Sequence, residues 1–118
     1  MIVASADDAH LLLEQLREDG YDVAVASTDP EDFRATQASI AKALRLPESA
    51  GRNLDALADS LRDLGDHWPG PVALLWEDAE SLARTDGRHW WILAEILDEA
   101  DLAVIAAGAR RSTIGDQP

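Results

Sequence analysis

The chain has 118 residues, of which 47% are hydrophobic, with 23 acidic against 10 basic side chains, a formal net charge of −13 and no cysteine. That length suits one domain with one modest core, and the lack of cysteine excludes a disulfide framework, a thiolate metal site and a thiol nucleophile. The acidity makes nucleic acid a poor partner, because phosphate binding needs a basic face, whereas a basic protein would be drawn in by long-range attraction.

Ile2–Ala4 predicts a short strand, and Ser5 is placed to cap a helix with Asp7 and Asp8 in its first turn. Leu11, Leu12, Leu13 and Leu16 give that helix an apolar face, and Gly20 ends it. Tyr21–Ala26 alternates and is β-branched at Val23 and Val25, the pattern of a strand. The opening therefore reads as a β-α-β unit with parallel strands and a right-handed crossover. Thr28 or Asp29 is expected to cap the next helix, with Pro30 near its first position and Phe33, Ala38, Ile40, Ala41 and Leu44 on its buried side. Pro47 biases Leu46 out of the helical region and ends that run. Gly51 suits a turn that a Cβ would resist, and Asn53 suits the N-cap of a third helix. Leu54, Leu57, Leu61 and Leu64 then fall on one face at helical spacing.

Pro69-Gly70-Pro71 marks a turn before Val72–Trp76, a continuous apolar run of the kind buried on both faces of a sheet. Glu77–Ala83 predicts a short helix and Asp86-Gly87 a turn. His89–Ala100 predicts an amphipathic helix with Trp90, Leu93, Ala94, Leu97 and Ala100 inward, and Leu102–Ala107 a last strand. Trp76 belongs in the core and Trp91 at the surface. Residues 109–118 have little to bury and are expected to fray. Strands separated by helices predict an α/β fold, with Val23–Ala26, Val72–Trp76 and Leu102–Ala107 in one parallel sheet.

Catalytic chemistry finds little support. His10, His67 and His89 lie far apart and in no nucleophile or metal-ligand motif. The glycines form neither a dinucleotide fingerprint nor a phosphate loop. Asp7-Asp8 resembles the acidic pocket of a phosphoreceiver, but no later strand ends in a phosphoacceptor aspartate, and first-turn helix charges explain the pair. Neither a metal nor a cofactor is expected. No apolar run reaches the roughly 18 residues of a membrane span, and Met1–Ala6 lacks the basic region of a secretion signal. A cytoplasmic protein with no membrane partner is the expectation.

The remaining signal lies in the third helix. Asp55 and Asp59 stand at i and i+4, where like charges cost a helix roughly 0.2–0.5 kcal/mol. The helix N-terminus favours Asp55 but reaches Asp59 less. Composition alone reads the pair as a solvated face.

Leu46-Pro47-Glu48, Gly51, Asn53-Leu54-Asp55-Ala56-Leu57 and Asp59 together resemble the signature of the barstar family, intracellular inhibitors of secreted microbial ribonucleases. Similarity extends more weakly from Asp22 to Gly108. The resemblance implies a parallel sheet of three strands covered by helices, or of four where residues 1–20 add a β-α segment to a single domain spanning residues 1–108. It also implies a protein that is not an enzyme, is monomeric when free and plugs a basic microbial ribonuclease with an acidic helix-loop surface. On that reading Asp59 enters where a substrate phosphate sits, and Asp55 and Glu99 meet basic groups at the rim. Gly51 and Asn53 hold the loop and helix start. Ser49, Ala50 and Ala58 stand where the family usually carries aromatic side chains, so the acidic pair is kept while the apolar clamp is reduced. Arg62 stands one turn from Asp59 and partly neutralises it. The second expectation, motivated by those small residues, is a barstar-fold scaffold or regulatory domain that inhibits nothing.

Overall fold

Val72–Trp76, here β3, is buried at every residue, and the computed structural model, which describes residues 1–108, builds a sheet outward from it. The tail expected at 109–118 lies outside the described residues. β2 (Asp22–Ala26) and β4 (Ala103–Ala107) flank β3 in parallel, and β1 (Ile2–Ala4) adds in parallel to the far edge of β4. The order β1-β4-β3-β2 makes a four-stranded parallel α/β sheet, and the three expected strands form its centre and one edge. A central parallel strand is covered on both faces, which is why β3 reads as an unbroken apolar run.

The two faces are unequal. Val72, Leu74 and Trp76 point into the larger core beneath α2 (Phe33–Ala43), α3 (Leu54–Arg62), α4 (Ala79–Thr85) and α5 (Gly87–Asp98). Leu75 points the other way, into a smaller cluster with Ile105, Ala107 and the α1 residues Ala9 and Leu13. α1 (Ala6–Glu18) joins strands on opposite edges of the sheet and touches all four of them. Its 13 residues rise roughly 20 Å, enough to cross strands about 4.8 Å apart. The predicted β-α-β unit is therefore parallel, but β4 and β3 lie between its two strands.

Several boundaries differ from expectation. α2 starts at Phe33, capped by Asp32, whose Oδ1 accepts from the Ala35 N–H at 3.1 Å. Thr28 and Asp29 do not cap it. Thr28 Oγ1 accepts from the Trp76 indole at 2.8 Å and donates to the Glu77 carbonyl at 2.7 Å. The Asp29 backbone is held by the Thr36 hydroxyl on both its N–H and its carbonyl. Ala38 is exposed, and the buried stripe of α2 includes the polar Thr36 and Gln37 beside Ile40 and Ala41. α4 begins at Ala79 because Asp78 takes a left-handed φ of 58° and breaks the run from Glu77. Gly87 is the first residue of α5, not part of a separate turn. Trp90 is half-buried and stacks on Trp76 at 6.4 Å, while Trp91 is exposed.

Candidate functional site

The segment from Pro47 to Arg62 forms a ridge on the side of the sheet that α2–α5 cover. After α2 the chain turns at Leu44 and Arg45, the latter at a left-handed φ of 60°. The Trp68 indole donates to the Leu44 carbonyl at 2.9 Å, and the Arg45 guanidinium lies 4.1 Å from the centre of the Trp68 ring. Glu48–Gly51 makes one 3₁₀ turn. The Ser49 carbonyl accepts the N–H groups of both Arg52 and Asn53 at 3.1 Å. Asn53 is extended and caps α3, its Oδ1 accepting from Asp55 N–H at 2.8 Å and Ala56 N–H at 3.2 Å. One side chain thus satisfies two of the helix's free donors.

This loop is fixed from below by α2. Gln37 is buried, and its Nε2–H donates to the Ala50 carbonyl at 2.9 Å. Arg34 Nη1–H donates to the Arg52 carbonyl at 2.8 Å. Between them Gly51 is pressed against α2: a Cβ there would stand 3.1 Å from the Ala38 Cα. The requirement for glycine is close approach, since the left-handed φ values occur elsewhere. Gln37 and Arg34 were not singled out from sequence. The available signal was Gln37 itself, a polar residue in step with Ile40, Ala41 and Leu44 on the buried stripe.

Leu57 and Leu61 bury the inner face of α3, and Leu54 half-buries beside them. Asp55 and Asp59 stand on the outer face, both exposed. Asp59 is paired: Arg62 Nη1 lies 3.0 Å from its Oδ1, with the side chains of Asp59 and Arg62 71% and 77% exposed. Glu48 pairs in the same way with Arg52. The Asp55 carboxylate has no ion pair among the described residues. Ser49 is exposed, Ala50 buried and Ala58 half-buried.

Glu99 belongs to a second feature. It is the C-cap of α5, one residue beyond the helix, and is exposed. A groove of about 1070 Å³ runs from Ala58 and Arg62 on α3, past Trp68, to Glu99 and Asp101. Ala58 and Glu99 therefore share a concavity, while Ser49, Asp55 and Asp59 stand on the ridge outside its lining. At the other end of α5, His89 Nδ1 meets Asp86 Oδ2 at 2.6 Å, and the His89 ring stacks on Phe33 at 4.1 Å. The side-chain hydrogen bond from His89 holds the Asp86 carboxyl below its usual range. Among the described residues no cluster of His, Asp and Glu could hold a metal ion, and no helix is long and apolar enough to cross a membrane.

The ridge lies wholly within the segment matched by a known protein family, described as Barstar (barnase inhibitor), which covers residues 22–113. The chain belongs to the barstar family. The barstar match also takes in the groove residues Ala58 and Glu99 and the strands β2, β3 and β4, and it begins at the first residue of β2. β1 and α1 precede it. No curated protein matches the chain.

Proposed function

We propose that this barstar-family chain inhibits a microbial ribonuclease of the secreted type by physical blockade, with no chemistry of its own. The observation that carries the reading is the ridge itself: a loop pinned to α2 at Ala50 and Arg52 presents Asp55 and Asp59 outward from an apolar helix base. Asp59 would enter the cleft where a substrate phosphate sits, and Asp55 would meet cations at the rim. Glu99 would do the same across the groove. Gly51 and Asn53 set the loop and helix start, with Ser49 and Ala58 offering small contact surfaces. The partner would be a basic protein, attracted by a net charge of −13, and the inhibitor a cytoplasmic monomer until it binds.

Asp59→Ala separates binding from folding. In the free chain Asp59 is attracted by Arg62 and repelled by Asp55, both through solvent, so its removal should change stability by less than about 1 kcal/mol. In the complex, losing one partner of a desolvated charge pair costs about 2–5 kcal/mol, chiefly through faster dissociation. The test is inhibition of a panel of guanyl-preferring microbial ribonucleases, with melting recorded alongside. Lost stability with unchanged inhibition would remove Asp59 from the site.

A second reading, a barstar-fold scaffold or regulatory domain, is favoured by one observation. Glu48 and Asp59 already have arginine partners in the free chain. Failure of the unmodified chain to inhibit any enzyme of the panel would select that reading.

A further inference from the structure

We infer that the ridge is fitted to a ribonuclease cleft that presents a carboxylate beside its phosphate-holding cations, and that Arg62 is the residue that meets this carboxylate. The inference rests on the inhibitor reading above. Arg62 ends α3 one turn after Asp59, and the two side chains are bonded at 3.0 Å on the same exposed flank. One helical turn is about 5.4 Å, small beside the roughly 800 Å² that a stable interface covers on each partner. Any partner that covers Asp59 therefore covers Arg62.

In the free chain the pair is an exposed i, i+3 bridge, which holds its members only weakly. The guanidinium is free to exchange Asp59 for another acceptor, and it has room to do so because it borders the open groove towards Glu99. Within a complex it loses its water. Facing a cleft lined by cations alone, Arg62 would be a desolvated like charge, and such contacts oppose binding strongly. An acid supplied by the cleft would let Asp59 bind cations while the buried guanidinium keeps a partner of opposite charge.

Cleavage of RNA through its 2′-hydroxyl supplies one. Such a site needs cations for the phosphate and a base that takes the hydroxyl proton, and a carboxylate serves as that base. The guanidinium fork suits a carboxylate through two parallel N–H···O bonds. The Asp59–Arg62 pair thus presents both signs to a cleft of mixed sign, and it selects against a uniformly basic protein.

Arg62→Ala, Arg62→Glu and Arg62→Lys test this against a panel ribonuclease that the unmodified chain inhibits, at one ionic strength, with melting of each free variant as control. Arg62→Ala should bind about tenfold more weakly and Arg62→Glu about a hundredfold more weakly, mainly through dissociation. Both losses would run against the added negative charge, and Arg62→Lys should recover part of them. Equal or tighter binding by Arg62→Ala or Arg62→Glu would overturn the inference and leave the inhibitor reading standing. Absence of inhibition by the unmodified chain would remove both.

Discussion

Gln37, 1% exposed, donates its side-chain N–H to a buried carbonyl, that of Ala50, across 13 residues of chain. Leucine at this position would keep the shape and remove the donor. A buried carbonyl left without a partner costs about 1–3 kcal/mol, so Gln37→Leu should lower unfolding free energy by that amount in urea titration. The loss should also be local. The Arg52 and Asn53 amides, which close the 3₁₀ turn on the Ser49 carbonyl, should exchange faster relative to those of β3. Unchanged stability would show that the Ala50 carbonyl does not depend on Gln37. The case also shows what composition hides. Asn53 is legible as a cap because its partners are two and three residues away, whereas the partner of Gln37 depends on how α2 meets a later loop.

The same distinction governs the elements. β3 was legible because a strand buried on both faces needs no polar alternation, and α3 because Leu54, Leu57 and Leu61 keep a helical period. The placing of β1 and β2 on opposite edges was not, since strand order is decided by contacts remote in sequence. Sequence alone does not fix the start of α2, because Thr28, Asp29 and Asp32 are all capable caps and it is a remote group, the Trp76 indole, that occupies the Thr28 hydroxyl. The ridge, local in sequence, was readable. The groove joining Ala58 to Glu99 required the packing of α3 against the end of α5. α5 has a local cap with a consequence for acid stability. Asp86 Oδ1 accepts from the His89 N–H, and Oδ2 meets the His89 ring. Its carboxyl is held below the ordinary aspartate value of 3.8, first by the side-chain bond to His89 and opposed by desolvation. A carboxyl lowered on folding contributes stability above its unfolded value, and the contribution is lost as pH falls through its folded value. Asp86→Asn should therefore destabilise at neutral pH, and its deficit should shrink as pH falls below 3.8. A deficit constant across that range in denaturant titrations would assign Asp86 a neutral capping role alone.

At the scale of the molecule, the −13 charge and the local charge of the ridge do different work. The ridge is partly self-neutralised, since Arg52 and Arg62 sit beside Glu48 and Asp59. Close contacts of this kind set how long a complex lasts, and they are shielded from salt once water is excluded. The whole-chain charge acts earlier, through solvent, on a partner still at a distance. Its reach is the Debye length, about 10 Å at 0.1 M salt and about 30 Å at 0.01 M. If the partner is a basic ribonuclease, association should slow steeply as salt rises across that interval, while dissociation changes much less. Stopped-flow mixing over a salt series measures both rates. Arg62→Glu gives the internal contrast: it should quicken association at low salt by adding to the long-range field, yet hasten dissociation by losing its contact. An association rate indifferent to salt would confine the acidity of the chain to solubility, because steering by charge cannot survive the comparison without it.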